Sequence, residues 1–99
     1  MSANSQSALL LQRMGDVRIV EFTESAILDQ SKIDRIHHEL QAIVEASGVP
    51  KIILSFENVQ HISSAMLGVL MSLNKQIKSK DGELRLACIS SGIMEVFKL

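Results

Sequence analysis

Hydrophobic and polar positions change period along the chain, and each change predicts an element. Leu9-Leu10-Leu11-Gln12-Arg13 leads through Met14-Gly15-Asp16 into Val17-Arg18-Ile19-Val20-Glu21-Phe22. In the latter, Val17, Ile19 and Glu21 alternate against Arg18, Val20 and Phe22, so the segment reads as strand, Gly-containing tight turn, strand. Thr23 to Gln30 is a polar connection around Ile27-Leu28 that still sends side chains to the core. Ser31 then opens a helix: with Asp34 three residues on it approximates a capping box, and Ile33, Ile36, Leu40, Ile43 and Val44 recur at helical spacing. Lys32, Arg35, His38, Glu39 and Glu45 occupy the opposite face. Gly48 is expected to stop this helix and Pro50 to prevent its continuation. Lys51-Ile52-Ile53-Leu54-Ser55-Phe56 is the nearly continuous apolar run of a buried central strand.

After a loop from Glu57 to Ile62, Ser63-Ser64 precede a second helix with Met66, Leu67, Leu70, Leu73 and Ile77 on one stripe. Lys78, Lys80 and Asp81-Gly82 close it, with cations near the carbonyl end and Gly82 as cap. Leu84 to Ile89 predicts another strand, and Ser90-Ser91 open a last helix through Ile93, Val96 and Phe97. Met1 to Ala8 is polar and aperiodic, and is expected to be a disordered N-terminus. The order ββαβαβα predicts a single α/β domain with a mixed, mostly parallel sheet, its first strand antiparallel. In parallel units the strand-to-helix loops share one edge, so Thr23 to Gln30, Glu57 to Ser64 and Ile89 to Ser91 should cluster there.

Composition narrows the function. A chain of 99 residues at 46% hydrophobic is enough to bury roughly two thirds of its unfolded surface, which argues against a disordered protein. Lys+Arg 10 against Asp+Glu 11 leaves a formal net charge of −1, so no overall positive field exists to hold a nucleic-acid backbone. Aromatic residues are 3%, without Trp or Tyr, which removes the usual stacking platforms. Phe22, Phe56 and Phe97 are assigned to the core, and Met14, Met66, Met71 and Met94 to packing. Cys88 has no partner for an internal disulfide and is read as a small core residue of the last strand. No apolar run approaches the ~20 residues of a membrane span, and no signal-like segment opens the chain. The reading is a soluble protein of a reducing compartment.

Catalytic and ligand chemistry find little purchase. Gly15, Gly48, Gly68, Gly82 and Gly92 stand too far apart for a phosphate-cradling loop, and the adjacent His37 and His38 point to different parts of their helix, so neither cofactor nor metal is expected. Ser63 or Ser64 with His61 and Asp29 would supply the residue types of a hydrolase, but the G-x-S-x-G elbow is absent and no catalytic residue is assigned. The two serines carry two readings. One of them caps the helix through its hydroxyl. Alternatively one is phosphorylated, adding about −1.5 to −2 charge at the positive end of the helix dipole, beside a docking face of Ser72, Lys75, Gln76 and Ser79.

Ile52-Ile53-Leu54-Ser55-Phe56, then Val59, Ile62-Ser63-Ser64-Ala65-Met66-Leu67-Gly68-Val69-Leu70 and Gly82-Glu83-Leu84-Arg85-Leu86 resemble the STAS domain of bacterial anti-sigma factor antagonists. Cys88-Ile89-Ser90 to Val96-Phe97 and Ile27-Leu28-Asp29 extend the resemblance over nearly the whole chain from Leu9 onward. It places the family's Asp-Ser-Ser/Thr-Gly-Leu-Gly segment, whose first serine is the phosphoacceptor, on Ser63 to Gly68, with Ser64 as acceptor and Ser63 as the competing hydroxyl. Ser63 replaces the family's Asp, Ala65 its second hydroxyl residue and Met66 its Gly; Met66 is expected to put bulk where a partner would approach. The chain reaches Leu99, where family members commonly continue through another strand and helix.

The resemblance implies a cytoplasmic partner-switching protein, monomeric or weakly homodimeric, without catalysis of its own. Unphosphorylated, it would bind an anti-sigma factor serine kinase; phosphorylation would release it and a PP2C-type phosphatase would restore it, regulating transcription under stress. Asp29, Ser63, Ser64, Ala65, Met66 and Gly68 are the implied contact residues. The alternatives are a STAS scaffold or cytosolic subunit of a larger signalling or transporter assembly, a small-molecule sensor, and the hydrolase.

Overall fold

Leu9–Met14 (β1) and Val17–Phe22 (β2) pair antiparallel from Leu9↔Phe22 to Met14↔Val17 across a two-residue turn, where Gly15 takes the left-handed conformation at φ +62°. A glycine at that position lets the turn follow the natural twist of the strands. Lys51–Ser55 (β4) lies parallel to β2, and Glu83–Ala87 (β6) parallel to β4, giving a four-stranded sheet in the order β1-β2-β4-β6. Gln30–Glu45 (α1) and Ser64–Ser79 (α2) make the crossovers, and Ser91–Phe97 (α3) follows β6. This computed structural model describes residues 9–97, the side chains of the last three excepted. Met1 to Ala8, expected to be disordered, and the side chains of Val96 and Phe97, expected in the core, lie outside the described residues.

The sheet has one covered face. Phe22, Val20, Ile52 and Leu54 are buried there against Ile33, Ile36, Leu40 and Val44 of α1 and Met66, Val69, Leu70, Leu73 and Ile77 of α2. The Phe22 and Phe56 rings meet at 4.9 Å between centroids. Leu67, expected on the buried stripe, is half-buried at its edge, and Val69 takes its place in the core. On the opposite sheet face Leu10 and Met14 are exposed, while Ile19 and Ile53 are half-buried. The packing role expected of Met14, Met71 and Met94 is therefore corrected for all three, since each is exposed; Met66 alone of the four is core.

Helix ends obey local chemistry that periodicity does not encode. Asp29, with extended backbone, is the N-cap of α1: its carboxylate accepts from the Lys32 amide at 3.2 Å and from the Ser31 hydroxyl. Ser31 thus lies inside the helix rather than opening it, and Asp34 accepts from the Gln30 amide side chain at 2.9 Å instead of closing a capping box. The helix ends at Glu45, before Gly48. Its final carbonyls are served from elsewhere in the chain: Arg18 and the Ser47 hydroxyl donate to Ile43, and Lys80 Nζ reaches Val44 at 2.9 Å and Glu45 at 3.4 Å. Such cations offset the negative end of the helix.

The end of α2 is a Schellman motif, with Gly82 N donating to Ile77 O at 2.9 Å and Asp81 N to Lys78 O at 3.0 Å. Asp81, not Gly82, occupies the left-handed position at φ 60°. Gly82 is required for a different reason: a Cβ there would lie 2.1 Å from the Pro50 carbonyl oxygen. The strand β6 ends at Ala87, so Cys88, expected inside it as a core residue, is instead exposed with φ 59°. Ser90 caps α3 as expected, its hydroxyl accepting from the Ile93 amide at 3.3 Å. No described helix is long and apolar enough to cross a membrane.

Candidate functional site at the carboxyl edge of the sheet

Two short segments inside the strand-to-helix loops pair with each other: Ala26–Ile27 (β3) runs parallel to His61–Ile62 (β5). Neither was legible as a strand, because each is only two residues long. Ile27 and Ile62 anchor this ladder in the core, and the Ser25 carbonyl accepts from the Gln60 and His61 amides at 2.7 and 3.1 Å. At its other end the Ser63 amide donates to the Ile27 carbonyl at 3.1 Å. The chain beyond the ladder therefore emerges as two adjacent strands' ends, Leu28-Asp29 beside Ser63-Ser64, each leading directly into a helix. Predicted clustering of these loops on one edge is what the parallel pairing produces.

Asp29 faces this edge as a charged cap. The Ser31 hydroxyl, then the Lys32 amide, hold its carboxyl below the usual carboxylate range. Ser63 occupies the equivalent position of α2, with φ −91° and ψ 160°, but its hydroxyl is buried and makes no hydrogen bond. The expected side-chain cap is thus not formed; the Met66 amide instead bonds the Ser63 carbonyl at 3.0 Å. Ser64 is the first residue of the helix and is exposed, so it is not a cap either.

Along α2 the positions Ser64, Gly68, Met71 and Lys75 follow one another at helical spacing and are all exposed, with Ala65 exposed beside them. Met71 is 72% exposed, and Leu28, across the ladder, is 57% exposed. Both were missed as site residues. Met71 was detectable, since it sits opposite the stripe of Met66, Leu70, Leu73 and Ile77. Met66 needs correction in the other direction: at 0% exposure it faces the core and adds no bulk to the surface where a partner would approach. Of the implied contact residues, Asp29, Ser64, Ala65 and Gly68 stand exposed on this edge, whereas Ser63 is half-buried.

Among the described residues no side-chain hydrogen bond joins Asp29, His61, Ser63 and Ser64, the residue types of the hydrolase alternative, to one another. The Asp29 carboxylate is held by Ser31 and Lys32, the Ser63 hydroxyl has no hydrogen-bond partner, and His61 is exposed on β5. Among the described residues no three His, Cys, Asp or Glu side chains converge as a metal site.

Comparison with known proteins places the fold. A family model described as the STAS domain matches residues 9–99. Among solved structures, an anti-sigma-factor antagonist (STAS) domain protein from Planctomyces limnophilus superposes with a TM-score of 0.79 at 20% identity, covering 91% of this chain and 78% of that one. The unphosphorylated form of the anti-sigma factor antagonist SpoIIAA gives 0.71 at 18% identity, covering 92% and 82%. The phosphorylated form of the Bacillus cell fate determinant SpoIIAA gives 0.68 at 19% identity, covering 92% and 81%.

Proposed function

The chain belongs to the STAS-domain family, and on that premise we propose that it is an anti-sigma factor antagonist working by partner switching, with Ser64 as the phosphorylated switch. The observation that carries this reading is the position of Ser64: exposed, first in α2, at the head of the uncovered stripe Ser64, Gly68 and Met71, and flanked by the loop of Leu28 and Asp29. Small side chains at Ala65 and Gly68 let a partner approach the helix closely, and Met71 and Leu28 offer it apolar contact.

Phosphate on Ser64 suits the free domain and opposes the complex. At the first turn of α2 it meets the positive end of the helix dipole. Forced into a packed interface beside the Asp29 carboxylate, the same dianion is repelled and desolvated, and about 2.7 kcal/mol of that cost lowers affinity a hundredfold. The partner is an anti-sigma factor serine kinase that loses its hold after phosphorylating Ser64; a PP2C-type phosphatase reverses the step. The protein acts in the cytoplasm, in stress-responsive control of transcription, without catalysis of its own.

Intact-mass and fragmentation spectrometry of the protein from growing and stressed cells tests this directly. A condition-dependent phosphate on Ser64 is expected. A phosphate on Ser63 would move the switch by one residue, although its buried hydroxyl is poorly placed for a kinase. A chain unmodified in every condition would select the scaffold reading, which the replacement of the family's Asp by Ser63 favours.

A further inference from the structure

The end of the sheet opposite Ser64 carries an open cleft of about 540 Å³ between the β1–β2 turn and the loop joining α1 to β4. Arg13, Arg18 and Lys51 line it together with Asp16, Ser47 and the backbone of Gly15, Gly48 and Val49. Arg13 and Arg18 are direct cross-strand partners in the β1–β2 ladder. Side chains in that relation have Cβ atoms about 5 Å apart, and like charges so placed destabilise the sheet. A structural duty for each cation would account for this arrangement, and the duties can be assigned one by one.

Arg18 serves the Ile43 carbonyl at 3.1 Å and the Ser47 hydroxyl; Lys80 serves the Val44 and Glu45 carbonyls; Lys51 pairs with Asp16 at 2.9 Å. With the carbonyl end of α1 and the lone carboxylate of the cleft both answered, Arg13 is surplus. It is exposed, and no described group pairs with it. A second guanidinium set against the first therefore has no partner among the described residues, and a planar fork of donors facing a cleft is suited to oxygen anions held by two parallel hydrogen bonds.

We propose that this cleft binds a phosphoryl dianion, free or carried on a small organic ester, with Arg13 as its principal ligand and Arg18 as the second charge. The cleft volume exceeds what a bare phosphate fills and leaves room for the rest of an ester. Because the cleft sits at the amino ends of the parallel strands and Ser64 at their carboxyl ends, the site is separate from the partner surface and does not rest on that reading.

The test is a titration of the full ¹⁵N-labelled chain with glucose 6-phosphate, inorganic phosphate and unmodified glucose at matched ionic strength. Saturable shifts are expected at the Gly15, Gly48 and Val49 amides with the phosphorylated probes and not with glucose. Arg13→Gln should weaken binding about tenfold or more, the loss of one charge-assisted pair, without lowering Tm. Lys32→Gln, in the first turn of α1 at the opposite edge of the sheet, should leave it unchanged. Tighter binding of glucose 6-phosphate assigns an ester, and equal binding of inorganic phosphate assigns the free ion; both uphold the site. Shifts that are absent, follow ionic strength alone, or persist undiminished in Arg13→Gln overturn it.

Discussion

A backbone hydrogen bond, 3.1 Å from the Ser63 amide to the Ile27 carbonyl, ties the loop that carries Asp29 to the start of the helix that carries Ser64. Ile27 itself is fully buried, so the proposed contact surface at this edge is built on a core residue. Ile27→Ala should destabilise the domain by about 2–5 kcal/mol, the usual range for deleting a buried branched side chain. Urea unfolding followed by circular dichroism checks it; a loss within about 0.5 kcal/mol, typical of surface changes, would show that Ile27 is not the anchor.

Gly82 and Gly68 should respond to alanine with opposite signs. A Cβ at Gly82 meets the Pro50 carbonyl oxygen at 2.1 Å and Ile77 Cγ2 at 2.9 Å, so the entry to β6 must shift, at a cost of about 1–3 kcal/mol. A Cβ at Gly68 meets nothing within 4 Å inside a helix, so Gly68→Ala should stabilise by about 0.5–1 kcal/mol. Comparing the two urea midpoints decides the matter.

The carboxyl group of Asp29 is held below its usual range by the Ser31 hydroxyl and the Lys32 amide, so its folded value lies under the unfolded one. Its contribution to stability is therefore complete above the ordinary carboxylate pKa near 4 and is lost as pH falls through the depressed value. Thermal melts from pH 6 down to about pH 2 should show a fall in Tm that is smaller in Asp29→Ala, which begins lower at neutral pH for want of the cap. Parallel curves for the two proteins would remove Asp29 as the group responsible.

Met71→Ala should leave stability within about 0.5 kcal/mol, since the side chain is solvent-exposed, yet weaken capture of the partner. Ser64→Asp should weaken it as well, and Ser64→Ala should not. Calorimetric titration with the proposed anti-sigma factor kinase partner reads all three, and undiminished binding by Ser64→Asp would sink the proposed switch.

The strands and helices that bury a periodic face were legible in the sequence, as was the shared edge of the strand-to-helix loops. What escaped was decided by contacts remote in sequence or by single side-chain hydrogen bonds. Asp29 outcompeted Ser31 as the cap because its carboxylate reaches the Lys32 amide. The β3–β5 ladder is too short to carry a pattern of its own and forms because Ile27 and Ile62 are drawn into the core together. Cys88 turned out of β6 through a left-handed residue that no alternation forecasts. Met66 and Met71, five positions apart, were both read as packing; only the helix wheel separates them, one to the interior and the other to solvent.

The β3–β5 ladder is a sheet of its own, separate from the four strands beside it. Opening it breaks only a few hydrogen bonds and leaves the larger sheet intact, so the edge can open locally at a free energy well below that of global unfolding. Amide protons of His61 and Ser63 should accordingly exchange with deuterium long before those of β4. A partner that clamps both loops would slow that exchange, turning a loosely latched corner of the molecule into its most informative reporter of occupancy.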